Sequence, residues 1–295
     1  MPVIQINQLK KYYGKHIGIK DVTFSIEEGE ILGFVGPNGA GKSTTIRTLM
    51  GFIFPSGGSA SICGLDCSKH SKEIKAFTGY VPSDVRLYNN MRVGELLRRN
   101  DSFCRREARS ESERLSKLFD LDLSKRFWEL STGNKKKASV ICALASKPKV
   151  VILDEPTSGL DPIMQKVLFE ELRHMTADGV TVLLSSHNLA EVQEYCNRVA
   201  FIKDGSIIAV SDLKEAVRPG KLIEVTGGNA VLPEGWELLK HENGRRVFRT
   251  ASDSRSIIEA LSMLSPEDFT VGTESIEERF WDIYGKEGNH EGVFS

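Results

Sequence analysis

A glycine-rich stretch, residues 36–44, carries the most specific chemistry in this sequence. It fits the phosphate-loop pattern G-x-x-x-x-G-K-[ST] without a mismatch. Its glycines permit backbone torsions that aim successive N–H groups at phosphate oxygens, and its lysine adds positive charge over the β- and γ-phosphates. The serine after this lysine is placed to hold Mg²⁺. The stretch predicts a site for a nucleoside triphosphate, formed by Gly36, Pro37, Asn38, Gly39, Ala40, Gly41, Lys42, Ser43 and Thr44.

Two acidic residues follow a buried-strand pattern farther along the chain. Residues 150–153 form an apolar run typical of a buried parallel strand, and Asp154 and Glu155 come directly after it. Asp154 is the candidate to support Mg²⁺ opposite Ser43. Glu155 is the candidate base, because a second carboxylate pointing elsewhere can polarise an attacking water. The pair therefore predicts hydrolysis of the bound nucleotide.

A histidine follows the next apolar run. Residues 180–184 predict another buried strand, which leads through two serines to His187. In an open parallel sheet the carboxyl ends of the strands face the ligand, so we expect His187 at the same edge as the acidic pair. There it could hydrogen-bond the γ-phosphate and hold the geometry of the water. The predicted catalytic residues are thus Lys42, Glu155 and His187.

The elements that must position these residues are read from the flanking sequence. Residues 31–35 predict a buried strand leading into the phosphate loop, and residues 43–50 predict the helix that follows it. Alternation over residues 3–35 predicts an antiparallel strand layer, on which Tyr13 offers an aromatic face to a purine base. Asp161, followed by proline, predicts the N-cap of a helix running to about residue 177.

A mostly helical segment lies between two predicted strands of this core. Residues 84–146 are predicted as a helical subdomain, and the charged run at residues 105–114 indicates a solvated helix face or a docking surface. The segment has two apolar stripes, formed by Val93, Leu96 and Leu97 and by Leu115, Leu118 and Phe119. The predicted fold class is α/β, a P-loop NTPase core with an antiparallel β subdomain and a helical subdomain.

The character of the sequence changes near residue 219. Residues 1–218 are predicted as the nucleotide-binding domain. Residues 219–295 are predicted as a small α+β domain with short strands, a helix over about 254–264, a last helix with an apolar face and a frayed polar tail. The chain is therefore expected to hold two domains.

The composition of the chain limits the classes of partner that it is expected to bind. The 39 basic and 40 acidic residues leave a formal charge of −1, which gives no electrostatic reason to bind nucleic acid or an anionic membrane. No signal-peptide pattern and no membrane-spanning apolar run is seen, so we expect a cytoplasmic chain. Its five cysteines are scattered, as in reduced proteins. Cys63, Cys67 and His70 leave a metal site open as an alternative, although it lacks a fourth ligand.

Taken together, these motifs resemble the nucleotide-binding subunit of an ATP-binding cassette (ABC) transporter over roughly residues 3–217. The resemblance rests on the phosphate loop, on DEPTSGLD at residues 154–161, on His187, and on LSTGN at residues 130–134. The combination is much more specific than any one of these motifs. The closing SIEERFW at residues 275–281 is similar to the tail of exporter-type cassette subunits, and it favours export over import.

The resemblance implies roles for further residues. Tyr13 would stack on the adenine of ATP, and residues 158–161, which include Asp161, would cross a dimer interface. The signature segment, residues 131–134, would contact ATP held by a second subunit. The implied assembly is a head-to-tail homodimer around two ATP molecules, docked on an integral membrane permease at the cytoplasmic face of the membrane. The signature segment consists of Ser131, Thr132, Gly133 and Asn134.

The chain departs from the family pattern at positions close to this chemistry. Thr132 replaces a second glycine and Asn134 a glutamine. Ser83 stands where the family has a glutamine that senses the γ-phosphate and Mg²⁺, and it is kept as a further candidate ligand for the ion. These departures leave open a regulatory ATP sensor that scarcely hydrolyses. A soluble ABC-type ATPase acting on DNA or the ribosome is the other alternative, although one phosphate loop and no sustained heptad pattern count against it.

Overall fold

The computed structural model describes residues 2–86, 90–104, 108–213, 221–229, 231–242 and 244–273. The chain divides into two compact units, Met1–Asp212 and Leu213–Ser295. The predicted boundary between residues 218 and 219 lies outside the described residues. The predicted last helix, the segment 275–281 and the polar tail lie outside them as well.

A mixed sheet of ten strands organises the first unit. The strands in chain order are β1 (Ile4–Tyr13), β2 (His16–Ile26), β3 (Ile31–Val35), β4 (Gly57–Ile62), β5 (Leu65–Asp66), β6 (Thr78–Val81), β7 (Val150–Asp154), β8 (Thr181–Ser186), β9 (Arg198–Lys203) and β10 (Ser206–Asp212). Their order across the sheet is β5-β4-β1-β2-β10-β9-β3-β8-β7-β6. Because β6, β7, β8, β3 and β9 pair in parallel, their carboxyl ends share one edge.

The two halves of this sheet differ in direction and burial. Every residue of β3, β7 and β8 is buried, which is the pattern of parallel strands covered on both faces. Strands β1, β2, β4 and β5 pair antiparallel and form the predicted antiparallel layer. This layer joins the parallel strands through a bridge between Ser206 of β10 and Asp21 of β2.

Seven helices of the first unit are described. They are α1 (Lys42–Leu49), α2 (Ser71–Lys75), α3 (Val93–Ser102), α4 (Ala108–Leu118), α5 (Thr132–Leu144), α6 (Pro162–Ala177) and α7 (Leu189–Tyr195), together with a 3₁₀ turn at Phe127–Glu129. Helices α3, α4 and α5 pack on one another as the helical subdomain. The predicted apolar stripes of this subdomain are wrong at one position, because Leu118 is 37% exposed. Leu115 and Phe119, which lie one turn apart, are fully buried.

The second unit has its own sheet and core. Its strands are β11 (Lys221–Thr226), β12 (Trp236–Glu242), β13 (Arg245–Thr250) and β14 (Asp268–Thr273), arranged antiparallel in the order β12-β13-β11-β14. Helix α8 (Ser254–Leu264) begins at Asp253, whose side chain accepts a hydrogen bond from the backbone N–H of Ser256. The unit buries a cluster of Ile223, Val225, Trp236, Phe248, Ile257, Ala260, Leu261 and Leu264.

None of the described helices in either unit is long and apolar enough to cross a bilayer.

Candidate active site

The phosphate loop joins the carboxyl end of β3 to the start of α1, and its backbone depends on glycine at several points. Gly39 and Gly41 have φ angles of 81° and 108°, a region that L side chains rarely adopt. A Cβ on Gly36 would lie 2.1 Å from the carbonyl oxygen of Ile202. A Cβ on Gly41 would lie 2.7 Å from the carbonyl oxygen of Gly18. Larger residues are therefore excluded at these glycine positions, by the backbone torsion angles at Gly39 and Gly41 and by close contacts at Gly36 and Gly41.

Lys42 lies at the base of this loop with only 5% of its surface exposed. Its Nζ donates to the carbonyl oxygens of Gly36 at 2.6 Å and Pro37 at 3.2 Å. The same nitrogen lies 3.6 Å from Glu155 Oε1. The ammonium is thus held by oxygen atoms that it can exchange for phosphate oxygens of a nucleotide.

Asp154, the last residue of β7, is fully buried beside α1. Its Oδ1 accepts hydrogen bonds from Ser43 Oγ at 3.1 Å and from Ser185 Oγ at 2.7 Å. Its Oδ2 is buried and has no hydrogen-bond partner among the described residues. A buried carboxylate oxygen needs a partner, and Mg²⁺ prefers oxygen ligands. Ser43 and Asp154 therefore fit the predicted Mg²⁺ site.

Glu155 turns away from its neighbour because the chain bends sharply after β7. Its φ is +48°, a left-handed conformation that costs a non-glycine residue about 1–3 kcal/mol. The bend is held by Ser185, whose hydroxyl and carbonyl oxygens both accept from the Glu155 N–H, at 3.0 and 3.2 Å. The two adjacent carboxylates consequently face different partners: Asp154 faces Ser43, and Glu155 faces Lys42.

His187 follows β8 directly and lies on the open side of Glu155. Its Nδ1 is 3.5 Å from Glu155 Oε2, and 63% of its side chain is exposed. Glu155 thereby stands between a buried ammonium and an exposed imidazole. The structure brings together Lys42, Ser43, Asp154, Glu155 and His187, which the sequence placed at this edge.

Sequence reasoning missed Lys136, a charged residue of α5 that is only 1% exposed. Its Nζ donates to the carbonyl oxygens of Pro82 at 3.0 Å and Ser83 at 2.8 Å, just beyond β6. Burial lowers the pKa of this ammonium, and the nearby carboxylates of Asp154, Glu155 and Asp84 oppose that shift. Helical periodicity does not single it out, because every residue of α5 from Lys136 to Ile141 is buried.

The signature segment lies at the N-terminus of α5. Ser131 caps the helix, since its Oγ accepts from the backbone N–H of Asn134 at 3.3 Å. A Cβ on Gly133 would lie 2.3 Å from the carbonyl oxygen of Gly159. The Thr132 methyl also lies against Gly159, 3.2 Å from where a Cβ would stand. The segment therefore packs on Gly159 and Leu160 of its own chain.

Asp161 and Tyr13 occupy places consistent with the local structure predicted for them. Asp161 Oδ1 accepts from the Met164 backbone N–H at 3.0 Å and caps α6. Tyr13 is 46% exposed, and its ring covers Gly18 next to the methyl group of Thr44. The ring thus lies beside the phosphate loop. Contact of either residue with a nucleotide stays a prediction, as do the catalytic roles above.

The parallel sheet edge, the glycine-dependent loop and the buried carboxylate beside Ser43 define a P-loop nucleoside-triphosphatase. A family profile described as ABC transporter matches residues 19–158. The chain is 31% identical to the uncharacterized ABC transporter ATP-binding protein YhcH of Bacillus subtilis, over 95% of each chain. It is also 34% identical to the probable multidrug ABC transporter ATP-binding protein YbhF of Escherichia coli. That match spans 70% of this chain but only 36% of the length of YbhF.

Two further likenesses each cover about seven tenths of the chain. The chain is 34% identical to the Nod factor export ATP-binding protein I of Paraburkholderia xenovorans, over 70% of this chain and 69% of that protein. A solved structure of the ATP-binding subunit of an ABC transporter superposes with a TM-score of 0.69 at 31% identity, covering 73% of this chain and 92% of that one. The chain belongs to the ABC transporter ATP-binding proteins. The predicted family and fold class are confirmed.

Proposed function

We propose that this chain hydrolyses ATP to ADP and phosphate and so powers a separate integral membrane permease, working as an exporter. The observation that carries the proposal is the cluster at the sheet edge, where Lys42, Asp154 and Glu155 meet the phosphate loop. A buried cation, a buried carboxylate and a partly exposed carboxylate at one edge of the sheet are groups that phosphoryl transfer to water uses.

Each residue of the cluster has a distinct task in this reaction. Lys42 binds the β- and γ-phosphates, exchanging the carbonyl oxygens that it now contacts. Glu155 accepts the proton of the attacking water, a contribution of about 10²- to 10⁴-fold in rate. His187 hydrogen-bonds the γ-phosphate from the open side. Ser43 and Asp154 would hold Mg²⁺, with Ser83 as a further candidate, and the ion would neutralise phosphate charge.

A second copy of the chain completes the site in this proposal. Residues 131–134 would contact ATP bound to the partner, and Asp161 would lie at the interface of a head-to-tail homodimer. The exposed side chains of Ser131 and Thr132, at the N-terminus of a helix of 13 residues, support this arrangement. Such a terminus presents N–H groups that favour phosphate.

The membrane partner and the direction of transport rest on the family. Family membership and the names of the multidrug and Nod factor export relatives support an exporter. The permease would hold this chain at the cytoplasmic face of the membrane, bound through residues 84–110 of the helical subdomain. The net charge of −1 supports a protein partner rather than nucleic acid.

The test is recovery of the partner. Tagged Glu155→Gln protein is purified from gently detergent-solubilised membranes, and we expect a polytopic membrane protein to co-purify. Phe103→Asp, at an apolar side chain that is 86% exposed next to α3, should release the partner without loss of ATP binding. Ile258→Asp, at a residue 64% exposed on α8, is the matched control. Recovery with ribosomes or DNA in a nuclease-sensitive complex, without a membrane protein, would contradict the proposal.

A further inference from the structure

Lys136 is a buried charge whose place in the fold is not explained by packing. Burying an ammonium costs free energy unless hydrogen bonds and opposite charges compensate it. An apolar residue on this face of α5 would continue the buried run that Val140 and Ala143 form. The chain instead places a cation there and supplies two backbone carbonyl groups to hold it. A buried cation held in this way indicates that Lys136 has a role beyond stabilising the fold.

The two carbonyl groups belong to the chain that leaves β6 at the catalytic edge. Strands β6 and β7 are parallel neighbours, with Val81 beside Leu153. Pro82 and Ser83 therefore continue alongside Asp154 and Glu155. The Ser83 segment, residues 82–86, is consequently the stretch of backbone that flanks the carboxylates on the β6 side.

The helix that carries Lys136 is also the helix that begins at the signature segment. Lys136 lies one turn after Thr132, the first residue of α5. A shift of α5 along or about its axis would move the Lys136 ammonium, and with it the carbonyl groups of Pro82 and Ser83. The hydrogen bonds thus form a mechanical link between the N-terminus of α5 and the edge that holds Glu155.

We propose that Lys136 is a positioning residue for ATP hydrolysis, which fixes the Ser83 segment beside the carboxylates of β7 according to the position of the signature helix. The inference rests on the proposed function, because it assigns a role within the same reaction. Lys136 does not touch the nucleotide in this mechanism; it acts through the backbone of Pro82 and Ser83.

The experiment compares variants of the full-length chain that differ in the donors at this position. Lys136→Met keeps the length and removes the ammonium, Lys136→Arg keeps a cation with several N–H donors, and Lys135→Met is the matched control on the same helix. Lys135 is only partly buried, and its Nζ lies 5.8 Å from the centroid of the Phe127 ring. For each variant kcat, KM and the Kd for ATP are measured, and circular dichroism reports folding.

We expect Lys136→Met to lower kcat by about 10- to 100-fold, the range expected when a catalytic group is misplaced by about 1 Å. The Kd for ATP should stay unchanged, Lys136→Arg should restore most of kcat, and Lys135→Met should match the wild type. A kcat in Lys136→Met equal to that of the wild type would overturn the inference. A Lys136→Met variant that loses kcat, ATP binding and folded protein in equal proportion would also overturn the inference, because that result indicates a purely structural role.

Hydrogen exchange gives a second readout that does not depend on activity. Amides of the Ser83 segment should exchange faster in Lys136→Met than in the wild type, whereas those of β9 should not change. Equal acceleration in both regions would count against a positioning role. If Lys136→Met does not fold, Lys136→Gln, whose side chain is polar but uncharged and shorter than that of lysine, takes its place in both measurements. Wild-type protein with no more ATPase activity than Glu155→Gln would instead refute the proposed function, and the exchange result would still stand.

Discussion

The phosphate-loop edge and the signature segment differ in how far one chain completes them. At the phosphate-loop edge, Ser43 donates a hydrogen bond to Asp154, and Lys42 lies within ion-pair distance of Glu155. One buried oxygen, Asp154 Oδ2, is left without a partner among the described residues. These contacts are all made within the single chain.

The signature segment shows the opposite pattern. Its polar contacts are local, since Ser131 caps α5, and Gly133 packs on Gly159 of the same chain. Nothing in these contacts brings it to Lys42 or Glu155. The groups proposed for binding and hydrolysis thus contact one another within one chain, whereas the contacts of the signature segment leave it for the proposed role at a nucleotide held by a second chain. Substitutions in the two regions should therefore separate ATP binding from assembly.

Glu155→Gln should give the largest effect. The amide keeps the shape of the carboxylate but cannot accept the proton of the attacking water, so kcat should fall by about 10²- to 10⁴-fold with ATP affinity retained. Sedimentation of this variant should show a dimer that depends on MgATP. The control is Glu170→Gln, at an exposed glutamate of α6 paired with Lys166. A Glu155→Gln variant that stays monomeric at saturating MgATP would contradict the head-to-tail dimer.

Lys42→Ala should weaken ATP binding while the fold survives. Hydrogen bonds to charged groups contribute about 1.5–3 kcal/mol, which corresponds to a loss of affinity of roughly 10- to 150-fold. Calorimetric titration with ATP and circular dichroism should be measured on the same sample. Lys69→Ala, at an exposed lysine, should behave as the wild type. Undiminished affinity in Lys42→Ala would show that the phosphate site is wrongly assigned.

Gly133→Ala should separate the two regions most clearly. The new Cβ would lie 2.3 Å from the Gly159 carbonyl oxygen, so the signature segment must shift. Alanine favours a helix over glycine by about 1 kcal/mol, so any loss must come from this contact. We expect kcat to fall by about tenfold and the MgATP-dependent dimer to weaken, by roughly 1–3 kcal/mol in total. ATP affinity of the single chain should not change.

The control for Gly133→Ala is Gly272→Ala, where the nearest atom to the new Cβ is a carbonyl oxygen 4.0 Å away. If Gly133→Ala lowered ATP affinity in the isolated chain, the signature segment would belong to the same half of the site as Lys42. The two regions would then not separate ATP binding from assembly.

The sequence predicted most of the core because its local signals and the fold agree. The phosphate loop, the apolar runs of β3, β7 and β8, and the Asp161 cap all describe interactions between residues that are close along the chain. Strands β9 and β10 were not predicted. They pair with each other across a two-residue turn at Asp204 and Gly205, a local hairpin signal that sequence reasoning overlooked. Their places beside β3 and β2, more than a hundred residues earlier in the chain, have no such local signal.

The site was predicted less completely than the fold. Spacing and strand ends indicated Lys42, Asp154 and Glu155, because each lies in a short motif with its own chemistry. Ser185 and Lys136 belong to no such motif. Ser185 is found only when β7 and β8 are in register, and Lys136 only when α5 packs against the end of β6. Supporting contacts of this kind depend on tertiary structure.

Removal of the second unit should have the smallest effect. Every residue of the proposed site lies within Met1–Asp212, and the second unit buries its own cluster around Phe248 and Leu261. A chain ending at Asp212 should therefore fold and bind ATP with an affinity within about twofold of the full chain, since a domain with its own core can fold alone. Thermal unfolding and ATP titration of both lengths would test this. An insoluble product, or one that does not bind ATP, would show that the first unit depends on the second, and the site could then no longer be ascribed to the first unit alone.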